Sequence, residues 1–413
     1  MPSYSPLRYA ARVLLAPLLA LTTLGMAMAE EAPLPEEWAD IEALARGQTV
    51  YWNAWGGDAA TNRYIDWVAG HLAERFEIEL LHVKLDDTAA AVSRVIAEKS
   101  AGNVDDGAVD LVWINGENFA AMKRHELLYG PFAERLPHFA LTAPDDNPEM
   151  RTDFTLPTEG FEAPWGKAQL TFYYDAERLE TPPRSMAELL AWARAHPGRF
   201  TYPLVPDFLG STFLKQALIE LVEDPSVLAD PAERHDVAAV TAPLWEFLDA
   251  LHPQLWRRGR DFPASGPELK QLMGDGELSL AFTFNPSEPA AAVAAHQLPP
   301  STRSYVLDGG TLGNVHFVAI PFNAAHKAGA LVLANFLLSP EAQARKQDIE
   351  VWGDPTVLDM TKLTPEQRVA FSSQDDHPAR LPPEAMGKLL PEPHPSWMEA
   401  LEAGWRERYA DDG

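Results

Sequence analysis

Hydrophobic and polar positions fall in blocks along this chain, most clearly from Val109 to Asn118 (VDLVWINGEN). The apolar run 111–114 is typical of a buried parallel strand, and the polar cluster 115–118 is typical of the loop after such a strand. Ligands of open α/β sheets bind outside the carboxyl ends of strands, so the pattern predicts one edge of a binding site here. The alternative is a core strand followed by an ordinary turn. Trp113 fits either the site or the core.

Similar blocks predict alternating strands and helices over the first third of the chain. Strands at 49–54 and 77–85, each followed by a helical pattern, precede the strand that begins at Asp110. This β-α-β-α-β order predicts an α/β fold built on a parallel sheet. Later patterns predict strands at 161–175, 200–204, 278–284, 305–310 and 315–320, and helices at 185–195, 213–222, 231–251, 266–273, 290–296 and 324–338.

Five predicted strand ends carry the same kinds of residue. Glycine allows close approach of a backbone, an amide, hydroxyl or acid can bind a polar group, and tryptophan offers a flat apolar face. Each loop alone also fits ordinary turn chemistry, but together they predict a ligand cleft. The residues are Trp55-Gly56-Gly57-Asp58, Asn115-Gly116-Glu117-Asn118, Trp165-Gly166-Lys167, Gly210-Ser211-Thr212 and Asn285-Pro286-Ser287-Glu288.

Length and composition narrow the classes of function. With 413 residues the chain exceeds one ordinary domain, which predicts two lobes. The formal net charge of -27 argues against nucleic acid and anionic membranes as partners. The chain has no cysteine, which excludes disulfides, thiolate metal sites and a cysteine nucleophile.

The first 29 residues have the pattern of a secretory signal peptide. Arg8 and Arg12 precede an apolar stretch at 13–24, and the small-residue motif Ala27-Met28-Ala29 follows it. The apolar stretch is short for a membrane span, which needs roughly 20 residues. The pattern predicts export to the periplasm with cleavage after Ala29.

Catalytic and metal-binding motifs do not occur in the sequence. It has no GxSxG, no HExxH and no Walker A motif, and no histidine stands at ligand spacing from the polar cluster near 115. Tyr173 and Tyr174 suggest an iron-phenolate site, but adjacent strand residues face opposite sides. We therefore predict no catalytic residues, no metal and no cofactor.

The chain resembles the family 1 extracellular solute-binding proteins of ABC importers, and most closely their YnjB-like subgroup. The resemblance spans essentially the whole chain after residue 29. The segments that carry it are VYWNAWGGD (50–58), DLVWINGENF (110–119), APWGKAQLTFYYD (163–175), HPGRFTYP (196–203) and MGDGELSLAFTFNPSE (273–288).

The resemblance implies a type II periplasmic-binding-protein fold with two discontinuous lobes. Lobe 1 would be 30–164 plus 300–344, and lobe 2 would be 165–299 plus 345–413, with Trp165 and Asn314 near the hinge. The lobes would close around a solute. Ligand contacts implied in lobe 1 are Trp55, Gly56, Gly57, Asn62, Trp113, Asn115, Gly116 and Glu117, with Trp165 at the crossing. Those in lobe 2 are Gly210, Ser211, Thr212, Asn285 and Glu288.

The partners implied by the resemblance are a small solute and an inner-membrane ABC permease, with the binding protein itself a monomer. The carboxyl groups of Glu117 and Glu288, together with the negative net charge, favour a cationic organic solute such as a thiamine-like molecule. A sugar is the second choice of solute, and ferric iron is the third. Two other functions fit the same fold. One is an exported hydrolase with Glu117 and Asp58 as its acid–base pair, and the other is a solute sensor with no role in transport.

Overall fold

The first three predicted strands form one parallel sheet. In the computed structural model, which describes Met1 and residues 34–371, 377–381 and 385–410, β1 (Thr49–Trp55) lies between β2 (Glu79–Leu85) and β3 (Leu111–Ile114). β1 pairs in parallel with both neighbours, so the β-α-β-α-β prediction is confirmed. The predicted signal peptide lies outside the described residues apart from Met1.

The helices between these strands begin and end where their sequence dictates. α2 (Ala59–Phe76) begins after Asp58, whose carboxylate accepts the N–H groups of Ala60 and Thr61. Its apolar residues recur at helical spacing and are buried, namely Tyr64, Val68 and Leu72. α3 (Ala89–Ser100) follows β2 as a helix, as the pattern predicts, and α4 (Glu117–Arg124) follows β3.

The remaining elements follow along the chain. The other helices are α1 (Trp38–Ala45), α5 (Met186–Ala195), α6 (Phe208–Leu221), α7 (Val237–Leu251), α8 (Gly266–Gly274), α9 (Glu288–Ala294), α10 (Lys327–Leu337), α11 (Pro340–Gln347), α12 (Pro365–Val369) and α13 (Pro395–Tyr409). The other strands are β4 (Thr152–Asp153), β5 (Leu156–Pro157), β6 (Glu162–Gln169), β7 (Thr171–Asp175), β8 (Leu280–Thr283), β9 (Thr302–Tyr305), β10 (Thr311–Ala319) and β11 (Leu389–Leu390).

Strand β10 returns the chain to the first sheet. It pairs antiparallel with β3, where Val318 opposes Trp113, and antiparallel with β6 over its whole C-terminal part. A second, three-stranded antiparallel sheet has the order β8-β7-β9. The strand predicted at 315–320 therefore belongs to the first sheet.

Two separate groups of buried apolar side chains form around the two sheets. The first core draws its buried residues from 41–165 and 315–371, and the second core draws them from 170–312 and 397–405. The chain passes between them on β6, between Trp165 and Leu170, and returns on β10, between Leu312 and Val315. These two crossings lie side by side, because Gly313 and Asn314 pair with Gln169 and Ala168.

The predicted strand at 200–204 is absent, and the structure shows why. Phe200 and Tyr202 are fully buried, as their apolar pattern suggests. Their stretch has no regular secondary structure and pairs with loops, since the carbonyl of Phe200 accepts the N–H of Trp256 and the N–H of Leu204 donates to the carbonyl of Pro263. Hydrophobic patterning marks burial, and a strand also needs a neighbouring strand.

The boundaries near 310 also differ from the prediction. Residues 306–310 form a loop instead of a strand, and the predicted loop 311–314 is part of β10. Thr311 and Leu312 also pair with β11, which the sequence did not predict. Strand pairing on both sides therefore extends β10 through its glycine.

Core membership places two stretches differently from the predicted lobe limits. Tyr305 and Leu312 belong to the second core, whereas 300–344 was assigned to lobe 1. Trp352 and Phe371 belong to the first core, whereas 345–413 was assigned to lobe 2. The reason is that the segment after α11 folds back, so that Trp352 packs against the ring of Trp165 at 5.6 Å.

A buried ion cluster holds this segment against the crossing strands. Asp354 accepts hydrogen bonds from Lys346 and from Nε2 of His316 on β10, the latter at 3.1 Å. The Lys346 ammonium also lies 5.7 Å from the ring of Trp165. Burial alone would raise the pKa of Asp354, but the charges of His316 and Lys346 outweigh it and hold the pKa below its usual range.

Glu162 on β6 is a buried carboxyl group without a counter-charge in contact. It is fully buried, and neither of its oxygens has a hydrogen-bond partner among the described residues. Burial raises the pKa of Glu162 well above its usual range, and the nearby Asp153 adds to the effect. The folded protein therefore holds Glu162 in its neutral form.

We predict that Glu162→Gln removes a pH-dependent loss of stability. The unfolded glutamate ionises above about pH 4.5, so the folded wild type must take up a proton, and its free energy of unfolding falls as pH rises. Relative to wild type, the free energy of unfolding of the variant should rise with pH above about pH 4.5, by at most about 1.4 kcal/mol per pH unit, until Glu162 ionises in the folded protein. Urea unfolding at several pH values measures this.

The exposed Glu246 on α7 provides the matched control. Glu246→Gln should give a difference from wild type that does not change over the same range. A constant difference for Glu162→Gln as well would contradict the prediction.

Candidate ligand-binding site

The loop after β1 is fixed by its own side chains. Asp58 Oδ2 accepts the N–H groups of Ala60 and Thr61 at 2.8 and 3.1 Å, and Asn62 Nδ2 donates to the carbonyl of Gly56 at 3.0 Å. Trp55 is partly buried and Gly57 is exposed. Of these predicted contacts, Trp55 and Gly57 are accessible to a solute. The amide nitrogen of Asn62 is used in a hydrogen bond within the loop.

The turn after β3 requires its glycine. Gly116 has φ +61° and ψ -126°, and a Cβ there would lie 2.7 Å from the ring of Phe154. Its N–H donates to Oδ2 of the buried Asp153 at 2.7 Å, while Oδ1 of Asp153 has no partner among the described residues. The turn is thus held against the β4–β5 hairpin and directs Glu117 toward the second core.

Glu117 is the first residue of α4 and is partly buried. Its Oε1 accepts the side-chain N–H of Asn118 at 2.8 Å. The pKa of Glu117 is raised to about 7: burial and the charges of Glu402 and Asp87 raise it, and a backbone hydrogen bond and the charge of Lys215 oppose them. Glu402 and Lys215 belong to the second half of the chain, so Glu117 faces residues around the other core.

Lys215 on α6 is the cation at the centre of this region. Its side chain is 1% exposed, and Nζ is 2.7 Å from Oε2 of Glu392, which is equally buried. Nζ also lies 4.7 Å from the ring of Phe154, which belongs to the chain segment of the first core, and 5.5 Å from the ring of Phe208. We call the region where residues around the two cores meet the core boundary. Asn314 Nδ2 donates to the other oxygen of Glu392 at 3.0 Å.

The sequence-based set of contacts did not include Lys215, Glu392 or Asp153. One signal was present, since Lys215 interrupts the apolar helix Phe213–Leu218. A lysine at a buried helical position needs a counter-charge, but its partner lies 177 residues away in sequence. No local pattern identifies that partner.

Gly210, Ser211 and Thr212 lie in the first turns of α6 and not in a loop before it. The helix begins five residues earlier than predicted because Asp207 accepts the N–H of Leu209 at 2.9 Å and caps it. Ser211 Oγ donates to Glu402 Oε1 at 2.7 Å. The buried Thr212 hydroxyl has no partner among the described residues.

Two further carboxyl groups lie near this helix start. The pKa of Asp207 is raised to about 6, first by burial and then by the charge of Asp87, which follows β2, against two backbone hydrogen bonds. Burial likewise raises the pKa of Glu402 on α13, although its hydrogen bond from Ser211 opposes the shift. α13 contacts α4 across the core boundary. Carboxyl groups from both sides thus approach one another closely enough to repel.

The loop 285–288 forms a second, smaller polar group. Asn285 Oδ1 accepts the N–H of Ser287 at 3.0 Å, so it stabilises its own turn. Glu288 Oε1 lies 2.8 Å from Nζ of Lys270, and the Thr283 hydroxyl donates to Oε2 of Glu288. Lys270 also reaches Asp58 Oδ1 at 3.6 Å, from the other side of the boundary.

The two predicted tryptophans belong to an aromatic cluster. Trp165 lies within β6, not in a loop, and is fully buried, so it presents no surface to a solute in this structure. Trp113 is partly buried, with its ring 4.8 Å from that of Trp165 and 5.8 Å from that of Trp352. Most of the Trp113 side chain is therefore packed in the first core, and the rest is accessible to solvent.

The structure thus brings the predicted residues together in two groups. Glu117 and Ser211 meet around Lys215 and Glu402, with Gly116 on Asp153 beneath them, and Asp58 meets Glu288 around Lys270. Trp165 and Asn285 contribute to the core and to a turn instead. Over the ranges that the structure describes, no group of three or more acidic or histidine side chains is arranged to hold a metal ion.

Comparison with known proteins decides the family. A family described as bacterial extracellular solute-binding protein matches residues 67–367, which is most of the chain. The chain belongs to this family. Protein YnjB of Escherichia coli (strain K12) is 48% identical over 373 residues, which cover 90% of this chain and 94% of YnjB.

Solved structures show the same fold. The periplasmic binding protein AfuA from Actinobacillus pleuropneumoniae, with exogenous fructose-6-phosphate bound, has a TM-score of 0.61 at 14% identity, covering 88% of this chain and 98% of AfuA. The TpPotD lipoprotein of Treponema pallidum has a TM-score of 0.62 at 14% identity, covering 87% of this chain and 98% of its own. The predicted two-lobed periplasmic-binding-protein fold is confirmed.

This solute-binding protein is a component of an ABC transporter, as the sequence predicted. Its family and its structural neighbours consist of binding proteins. Among the described residues, no helix combines the length and the apolar character that a membrane span needs. The individual solute contacts stay a prediction.

We predict that Gly116→Ala destabilises the protein, because Gly116 has a backbone conformation that other residues rarely adopt and a Cβ would crowd Phe154. The free energy of unfolding should fall by roughly 2 kcal/mol. Gly70→Ala is the matched control, since Gly70 lies on an exposed face of α2 with no heavy atom within 4 Å of its added Cβ. It should raise stability by about 0.5 to 1 kcal/mol. Changes of the same sign in urea unfolding would refute the argument.

Proposed function

We propose that this protein captures a small organic cation between its two lobes and delivers it to an inner-membrane ABC permease. The solute would lie where the loops after β1 and β3 face α6 and α13. The proposed contacts are Trp55, Gly57, Trp113, Asn115, Gly116 and Glu117 from the first side, and Ser211, Thr212 and Glu402 from the second.

The excess of acidic groups at the core boundary is the observation that supports a cation. Glu117, Asp207 and Glu402 all have raised pKa values, first through burial and then through other acids nearby. Lys215 is the cation that opposes this repulsion for Glu117 and Glu402, and its own charge is paired with Glu392. A bound cation would supply the missing positive charge.

Unpartnered polar atoms support the same location. Asp153 Oδ1 and Thr212 Oγ1 are buried without hydrogen-bond partners among the described residues. Such atoms are unfavourable in a protein interior unless a ligand or water satisfies them. Asp153 bonds the Gly116 turn and feels the charge of Glu117, and Thr212 follows Ser211 in the first turns of α6.

A sugar is the second candidate. Trp55 and Trp113 are both partly buried and offer accessible ring surface of the kind that stacks on a sugar. AfuA shows that the fold itself accommodates a sugar phosphate. The fold therefore does not decide the charge of the solute, and the boundary residues of this chain favour the cation.

We propose binding without turnover. The suggested hydrolase would use Glu117 and Asp58 as its acid–base pair. In the structure Asp58 caps α2 and lies near Lys270, while Glu117 belongs to the other polar group. Asp58 is thus committed to structural hydrogen bonds, which does not suit a proton-transfer role.

We also propose the cellular location of the protein and the limits of its two lobes. The pattern of residues 1–29 supports export to the periplasm with cleavage after Ala29, and we propose that the mature protein is a monomer. The two cores support lobe 1 at 34–166 plus 313–371, and lobe 2 at 167–312 plus 385–410. The paired crossings on β6 and β10 would then form the hinge.

We predict that an organic cation raises the melting temperature of the mature protein. A ligand that binds only the folded state adds about 2.7 kcal/mol at a hundredfold excess over Kd. Thermal shift with thiamine, spermidine, maltose and fructose 6-phosphate should show stabilisation by a cation and none by the neutral or anionic sugars. Glu117→Gln should abolish the shift, whereas Asp106→Asn, in an exposed loop, should keep it.

Stabilisation by a sugar alone would replace the cation with the second candidate. A steady conversion of any of these solutes, followed by NMR of the small molecule, would instead support an enzyme. Loss of the shift in both variants would show that they act through folding.

We predict that cation affinity rises with pH. Because the pKa of Glu117 is about 7 in the free protein, a cation must displace a proton below that pH. From pH 6 to pH 8 the ionised fraction rises about tenfold, and affinity should follow. Calorimetry of the wild type in buffers of different ionisation enthalpy should show proton release on binding at pH 6.5. A pH-independent affinity would argue against Glu117 as a solute contact.

A further inference from the structure

The ammonium group of Lys270 lies between carboxylates that belong to different sides of the core boundary. Lys270 is on α8, whose neighbouring Leu269 and Leu272 are part of the second core. Its Nζ is 2.8 Å from Oε1 of Glu288, on the same side, and 3.6 Å from Oδ1 of Asp58, on the other. The ion pair with Asp58 therefore spans the boundary.

Both carboxylates are held in place by other contacts. Asp58 uses Oδ2 to accept the N–H groups of Ala60 and Thr61, which leaves Oδ1 for Lys270. Glu288 uses Oε2 to accept the hydroxyl of Thr283 and leaves Oε1 for Lys270. The lysine thus bridges two preorganised acceptors, and little side-chain freedom of the acids is lost when the bridge forms.

The bridge is shielded from solvent more than a surface ion pair. The side chain of Lys270 is 13% exposed and that of Asp58 is 22% exposed. Burial lowers the pKa of Lys270, but the charges of Glu288 and Asp58 outweigh it and raise the pKa above its ordinary value. The ammonium group therefore stays charged, and salt screens the pair only in part.

We propose that Lys270 is an interlobe latch, a positioning residue that favours the closed arrangement before a solute binds. When the lobes separate, Glu288 moves with Lys270 because both lie on lobe 2, while Asp58 moves away with lobe 1. The Asp58–Lys270 pair forms only on closure. Because Lys270 satisfies these two acids from within the chain, the solute cation is left to the Glu117 side.

This inference rests on the proposed function only in requiring that the lobes open and close, and its test uses no solute. The chain has no cysteine, so spin labels can be placed at Glu74→Cys on α2 and Glu246→Cys on α7, both exposed helix positions in different lobes. Pulsed EPR on the mature protein gives the ratio of short to long distances. A failure of the solute screen would leave this measurement unaffected.

Lys270→Gln should lower the ratio of closed to open molecules about three- to tenfold, and Lys270→Arg should restore most of it. Raising NaCl from 0.05 M to 0.5 M should lower the ratio in wild type and leave Lys270→Gln unchanged. Lys362→Gln, which removes an exposed lysine from the first side, is the matched control and should behave as wild type.

An unchanged ratio in Lys270→Gln, with an unaltered melting temperature, would overturn the proposal. A wild type with no short-distance population in the absence of solute would overturn it as well. An equal fall in Lys362→Gln would assign the effect to net charge and would also reject the latch.

Discussion

Two antiparallel strands, β6 and β10, carry the chain between the cores as hydrogen-bonded neighbours. The pairing of Gly313 and Asn314 with Gln169 and Ala168 lies at the point where both strands leave one core for the other. The chain crosses a third time, between Phe371 and Trp397. Because the β6 and β10 connections are hydrogen-bonded to each other, neither can rotate alone, which favours bending of the pair as the relative motion of the lobes.

Charge is treated differently in two polar groups near this crossing. Asp354, Lys346 and His316 form a paired cluster against the rings of Trp165 and Trp352. Removing one member of such a cluster leaves an uncompensated buried charge, so the cluster fixes the position of the segment that carries Asp354. Glu117, Asp207 and Glu402 instead have raised pKa values, and the negative charge of Asp87 contributes to each shift. The contrast indicates a structural role for the first group and a binding role for the second.

The sequence predicted the parts of the fold that depend on local chemistry. Runs such as Leu111–Ile114 identify buried strands, and the helical pattern at 185–195 identifies α5, because each signal lies within a few residues. It failed where the outcome depends on a distant neighbour. The stretch 200–204 is buried but has no partner strand, and 311–314 becomes a strand because β6 and β11 lie beside it.

The same distinction applies to the candidate site. Gly116 and Glu117 were predicted because they directly follow an apolar strand. Lys215 with Glu392 and Lys270 with Asp58 were not, since each pair joins segments that are far apart in sequence. Trp165 was assigned to the cleft because tryptophan suits stacking, but strand pairing places it inside the first core. Residue type alone does not separate a stacking surface from a packing one.

The pKa of Glu117 near 7 has a consequence for how the permease recognises a loaded binding protein. On the proposed function, a univalent solute that enters as a proton leaves exchanges one positive charge for another. The outer electrostatic field of the molecule is then nearly the same whether the cleft is empty or full. The permease could not distinguish the loaded from the empty protein by long-range electrostatic attraction. It would have to recognise the surface shape that the two lobes form in the closed state.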